Sequence, residues 1–164
     1  MISKNKKIRN ATTCSNGNIT FKSKLEKTFF NLLIEEGFKP QYEPKTITLW
    51  EGFTPITPFY DKESNSQWAK RTEENNAVKN RLLILKDSKI VSIRYTPDIY
   101  FKYKNIDIWI ETKGKENDVF YIKKKLFRAY LDKQLMKTGQ KSIFFEIYTK
   151  RQLLQAIDII KNYE

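Results

Sequence analysis

Three residues of this 164-residue chain are of types and at a spacing that suit metal-assisted phosphodiester chemistry: Asp98, Glu111 and Lys113. They lie in an alternating stretch. Ile99, Phe101 and Tyr103 interleave with Asp98, Tyr100 and Lys102, and Ile106, Ile108 and Ile110 with Asp107, Trp109 and Glu111. A period of two is the pattern of half-buried strands. With Lys104-Asn105 as a two-residue turn, the strands form a hairpin and Asp98 faces Glu111, their side-chain roots about 5 Å apart. Lys113, two residues beyond Glu111, shares that face. The other face carries isoleucine, phenylalanine and tyrosine and is expected to pack on the core. Two carboxylates so close repel, so one takes a proton or a cation sits between them. A hard divalent ion such as magnesium takes carboxylate and carbonyl oxygens and keeps several waters. A lysine beside it orients an attacking water or offsets a phosphate charge, which suits metal-assisted cleavage of a phosphodiester. The competing reading is a surface hairpin carrying an ordinary acid–lysine pair.

Pro97-Asp98, twelve intervening residues, then Glu111-Thr112-Lys113 resembles the signature of the PD-(D/E)XK nuclease superfamily, to which restriction endonucleases and Holliday-junction resolvases belong. The wording Ile19-Thr20-Phe21-Lys22-Ser23-Lys24-Leu25-Glu26 and the run Asp118 to Phe127 are similar to a phage-borne, resolvase-like branch of it. The resemblance implies that Asp98, Glu111 and the Thr112 carbonyl bind Mg2+, with Mn2+ able to substitute, and that Lys113 is the catalytic lysine. Glu26 stands where such proteins often bring one more acid to the metal; alternatively it only caps its own helix. Lys123, Lys124, Arg128 and Lys24 are the candidate DNA contacts, with a solvated basic face as the rival for each single lysine. The implied fold class is α/β, a restriction-endonuclease-like core with a central mixed sheet flanked by helices in αβββαβ order. The implied function is a magnesium-dependent DNA endonuclease, resolvase-like on branched DNA. The alternatives are restriction-like, transposon-end or repair cleavage, or a DNA-binding module that does not cut. A homodimer is expected by family analogy alone.

Composition bears on partners and compartment. Lysine and arginine number 31 against 19 acids, a net +12, which favours a polyanion such as DNA. Histidine is absent and Cys14 is the one cysteine, so Ser-His hydrolysis, His-metal nucleases, Cys-rich zinc sites and an internal disulfide are excluded. No apolar run reaches membrane-spanning length. Met1-Ile2-Ser3-Lys4 has no apolar stretch after it, so no secretory signal is expected and the protein is expected in the cytoplasm, that of a host cell if phage-encoded.

These residues need elements to position them. Residues 1–18 read as a basic flexible arm, and 19–164 as one domain. A helix is expected from Ile19 to Gly37, with a capping box at Ser23–Glu26. Thr46–Trp50 reads as a strand, with Gln41 ahead of it. The polar stretch at about 54–80 reads as an insertion. Its Lys70, Arg71, Lys79 and Arg81 would suit a DNA cleft, but a solvated excursion is the favoured reading. Leu82–Leu85 and Ile90–Ile93 suggest a hairpin leading into the motif. Val119, Ile122, Leu126, Phe127, Tyr130, Leu131 and Leu135 recur at helical spacing over 119–136, with Lys123, Lys124, Lys125 and Arg128 opposite. Ile143–Tyr148 follows as a strand, expected parallel to that of Glu111 with the helix as crossover. A last helix over 150–162 would bury Leu153, Leu154, Ile157, Ile160 and Tyr163.

Overall fold

A computed structural model of the protein describes residues 13–74, 80–114 and 118–163. Along the chain run β1 (Cys14–Asn16), β2 (Ile19–Phe21), α1 (Lys24–Glu35), β3 (Gln41–Tyr42), β4 (Ile47–Trp50), β5 (Tyr60–Lys62), α2 (Asn65–Glu74) and β6 (Leu83–Leu85). Then come β7 (Ile93–Tyr95), β8 (Ile99–Tyr103), β9 (Ile106–Thr112), α3 (Asp118–Thr138), β10 (Ser142–Ile147) and α4 (Lys150–Lys161). The architecture is α/β, with a mixed sheet flanked by helices. The chain divides into two compact units, one comprising residues up to Leu49 together with Arg94 onward, the other Trp50–Ile93.

In the first unit a four-stranded sheet has the order β10-β9-β8-β3. The β8–β9 hairpin has the register read from the sequence, with Tyr103 opposite Ile106 and Ile99 opposite Ile110. Lys104 and Asn105 both have positive φ, 44° and 65°, the turn geometry whose twist matches a two-residue hairpin. β10 lies parallel to β9, Glu146 beside Glu111, so α3 is the expected crossover. One sheet face carries Ile99, Phe101, Ile106, Ile108 and Ile110, which with Ile147 pack against Phe29 and Leu33 of α1 and Leu153, Ile157 and Ile160 of α4. The other face is not simply polar. Trp109, Tyr100 and Phe144 pack there with Phe120 and Phe127 of α3 and with Ile47 and Tyr95 of the paired strands β4 and β7. The sheet is therefore covered on both sides, and the candidate site sits at the end of a buried face.

Several elements differ from expectation. Ile19–Phe21 is a strand, not the start of a helix; it pairs with Cys14–Asn16 across Gly17, whose φ of +57° suits a tight turn. Of the basic arm, residues 1–12 lie outside the described part. α1 starts at Lys24 because Ser23 accepts the Glu26 N–H at 3.2 Å. The reciprocal half of the capping box is redirected: Glu26 accepts from the Lys22 N–H, not from that of Ser23. The Leu82–Ile93 hairpin does not form. Leu83–Leu85 pairs with Tyr60–Lys62, and Ile93–Tyr95 with β4. In α3 the inward line is Phe120, Lys124 and Phe127, whereas Val119, Ile122 and Leu135 are exposed. In α4, Ala156 is buried while Leu154 is exposed, as is Tyr163 beyond the helix end.

The second unit, Trp50–Ile93, contains the insertion expected at about 54–80 and extends beyond it on both sides. Phe53 and Ile90 exchange backbone hydrogen bonds of 3.0 and 2.8 Å. Gly52 lies so close to this contact that a Cβ there would stand 2.6 Å from the Ile90 carbonyl oxygen. Glu63 is buried and held by the Arg71 guanidinium through two bonds of 2.7 and 2.6 Å and by the Leu82 N–H at 3.0 Å. Arg81 reaches Asn65 at 2.6 Å and lies over the Trp68 ring. Arg71 and Arg81 are thus engaged within their own unit; Lys79 lies outside the described residues.

Candidate functional site

Asp98 is set by its neighbours on the chain. Pro97 is fully buried, and the Asp98 carbonyl accepts the Glu43 N–H at 2.8 Å, which fixes the strand entry. The Asp98 Oδ2 accepts from the Thr112 N–H at 2.7 Å and the Thr112 hydroxyl at 2.8 Å. Its Oδ1 has no hydrogen-bond partner among the described residues. Glu111 lies on the strand between β8 and β10 and is 4% exposed. One of its oxygens accepts from the Tyr95 hydroxyl at 2.5 Å, the other from the Lys113 ammonium at 2.5 Å. Lys113 lies over the Phe120 ring, 3.9 Å from its centre.

The electrostatics follow from this packing. Burial, then the charge of Glu111, push the Asp98 carboxyl up to about 7, against the pull of the two Thr112 donors. Burial, with the nearby charge of Glu111, pushes the Tyr95 hydroxyl far up, so it stays a donor. Asp98 therefore carries a charge that its surroundings leave poorly compensated.

The expected residues divide into those brought together and those left apart. Asp98, Glu111, Thr112 and Lys113 form one cluster. Glu26 is buried in the first turn of α1, where it accepts from the Tyr42 hydroxyl at 2.5 Å, the Ser23 hydroxyl at 2.8 Å and the Lys22 N–H at 3.1 Å. Its charge is among the influences that raise the Asp98 carboxyl, behind burial and the charge of Glu111. Of the four cations, Lys124 alone faces the sheet, paired with Glu146 at 2.7 Å and 5.5 Å from the centre of the Phe120 ring. Lys24 and Arg128 are exposed and Lys123 is half-buried. Among the described residues, no group of three or more acidic, cysteine or histidine side chains converges as a cage for one ion.

Sequence reasoning missed Tyr95 and Glu146. Glu146 lies beside Glu111 in register and also accepts from the Tyr148 hydroxyl at 2.5 Å. Alternation along the Ile143–Tyr148 strand places Glu146 on a defined face, but only the register shows that this face is Glu111's. A surface depression of about 460 Å³ lies elsewhere, lined by Lys104, Asn105, Gln140 and Tyr163 among others. It holds no paired acids, and it does not compete with the cluster as a site of hydrolysis. No family model matches the chain, and no match is found among curated proteins or among solved structures.

Proposed function

We propose that the protein is a magnesium-dependent DNA endonuclease of the PD-(D/E)XK kind, with a restriction-endonuclease-like core, acting in the cytoplasm. The observation that carries this reading is the convergence of Asp98, Glu111 and Lys113 at the open end of the β8–β9 hairpin, with Asp98 lacking an ion-pair partner among the described residues. The donor set fits a hard divalent ion: two carboxylates, Asp98 at the entry to β8 and Glu111 on β9, the first with an oxygen that has no hydrogen-bond partner among the described residues, and water to complete the shell. The Thr112 carbonyl belongs to the same set by the motif. When bound, Mg2+ or Mn2+ supplies Lewis-acid activation of the phosphoryl centre.

The chain's own residues do the rest. Thr112 holds Asp98 in place through two donors. Tyr95 fixes the orientation of Glu111. Lys113, held between the Glu111 carboxylate and the Phe120 ring, places a positive charge where negative charge develops on the phosphate oxygens. Lys124 sits over the same ring and is the cation best placed to meet an adjacent phosphate. Glu26 supports the site through the Tyr42 network and is kept as an accessory acid. The net charge of +12 supplies the general attraction to a polyanion.

Cleavage of labelled four-way junctions and linear duplex, with magnesium against calcium, tests the reading. Magnesium-dependent cutting that Asp98→Ala and Lys113→Ala abolish while binding persists is the expected result. Preference for the junction marks a resolvase-like enzyme; equal cutting of linear duplex marks the restriction-like or repair alternatives. Binding without cutting by the parent protein leaves a DNA-binding module and refutes the enzyme.

A further inference from the structure

α3 is apolar on two sides, and only one of them is used by the sheet. Phe120 and Phe127 point inward. On the outer side Val119, Ile122, Leu126, Ala129, Lys133 and Met136 follow one another at steps of three and four residues. That is the heptad seam of a coiled coil, with Val119, Leu126 and Lys133 at a positions and Ile122, Ala129 and Met136 at d. Most of the seam is open: Val119 is 62%, Ile122 56% and Met136 86% exposed, while Leu126 is half-buried. An exposed stripe of this kind, apolar but for Lys133, is the mark of an interaction surface.

We propose that this seam pairs with the same helix of a second copy, the two helices running parallel. Charge complementarity selects the occupant and the direction. The flanking g positions are Asp118, Lys125 and Asp132, and the e positions Lys123, Tyr130 and Lys137. In a parallel pair each g residue meets the e residue five positions on in its partner. Asp118 then faces Lys123 and Asp132 faces Lys137, each contact occurring twice by symmetry. An antiparallel pair offers only Lys125 against Asp132 and sets Lys133 opposite Ile122. In the parallel pair the Lys133 side chains meet across an a layer, a polar contact that fixes register at a cost in stability. The seam is short, so association depends on concentration. Lys123, half-buried on the flank of α3, belongs to this interface and not to the DNA surface. The inference rests on α3 alone and holds whether or not the protein cuts DNA.

Light scattering and sedimentation of the full chain over a range of concentrations test it. The mass should rise toward twice the 19.6 kDa of one chain. Ile122→Glu, at an exposed position, should hold the mass at one chain with an unchanged far-ultraviolet spectrum. In a Cys14→Ser background, Ala129→Cys should cross-link to itself under mild oxidation, because equivalent d positions meet only in the parallel pair. Arg128→Cys, one residue off the seam, should not. A monomer at every concentration, a dimer indifferent to Ile122→Glu, or no Ala129→Cys cross-link overturns the proposal.

Discussion

Asp98→Asn should make the metal-free protein more stable at alkaline pH while removing its response to magnesium. The amide keeps an oxygen that can accept both Thr112 donors but carries no charge. In the parent the carboxyl titrates near 7 in the folded chain against an ordinary value of 3.8. A raised carboxyl means that the folded state binds its proton more tightly than the unfolded state. Its contribution is therefore intact below about pH 4 and is lost as pH rises toward and through 7. The interval 7 − 3.8, at about 1.4 kcal/mol per pH unit, sets a ceiling of about 4 kcal/mol. Roughly 2–3 kcal/mol of it falls between about pH 5 and about pH 8.

Thermal melts in chelator, at matched ionic strength, read this directly. At about 2–4 °C per kcal/mol for a chain of this size, the variant should melt on the order of 10 °C above the parent near pH 8 and close to it near pH 4. Added magnesium should raise the parent's midpoint at pH 8, because a cation relieves the repulsion, and leave the variant's unchanged. A variant less stable than the parent at every pH would refute the reasoning. It would show that the carboxylate is anchored by Thr112 strongly enough to outweigh its burial and the charge of Glu111.

Three further perturbations probe what surrounds the cluster. Tyr95→Phe leaves a buried Glu111 oxygen without its donor and should cost about 2 kcal/mol in a urea titration, with turnover falling at unchanged DNA affinity. Phe127→Ala removes a fully buried ring that meets Tyr95, Trp109 and Phe144; about 3–5 kcal/mol should be lost by the same assay. In the second unit, Arg71 and the Leu82 N–H hold the Glu63 carboxyl down to about 2. Stability from that group is present above its ordinary 4.5 and is lost as pH falls toward 2, so hydrogen exchange over 60–85 should quicken across that range in the parent and show no such step in Glu63→Gln.

The hairpin was legible because its two signals are local and agree. Alternation fixes which side chains share a face, and Lys104-Asn105 fixes the register. The parallel placement of β10 was legible too, since a strand after a crossover helix has few options. The β5–β6 pairing was not: its partners are twenty or so residues apart, separated by α2, and a nearer apolar run at Ile90–Ile93 offered the shorter connection. Ile19–Phe21 misled for the opposite reason. Its apolar residues continue smoothly into α1, and only the Ser23 cap marks the break. In α3 two apolar stripes, one inward through Phe120 and Phe127 and one outward through Val119 and Ile122, merge into a single apparent periodicity. No single-face reading of a helix separates them. The candidate triad was readable from residue type and spacing, but Tyr95 and Glu146 enter through pairings with β4 and β9 that no local pattern specifies.

Those two residues bear on where a cation belongs. Asp98 immediately precedes β8, and Glu111 and Glu146 lie on the next two strands of the sheet, side by side in register. Glu111 has Lys113 and Glu146 has Lys124, each pair also receiving a tyrosine hydroxyl. The Phe120 ring backs both ammonium groups. Asp98 has only the two neutral donors of Thr112, and no ion pair among the described residues. Two of the three acids are thus neutralised in place and one is not. Were the row merely a structural ladder, a third cation would be the simplest completion, and the chain has 31 lysines and arginines from which to supply it. Burial and then the charge of Glu111, with no ion pair among the described residues to offset them, raise the affinity of Asp98 for a proton, and the charge of Glu111 draws a cation to the same place. The asymmetry within the row, more than the presence of acids as such, is the physical ground on which we propose a divalent ion at Asp98 and Glu111 and not at Glu146.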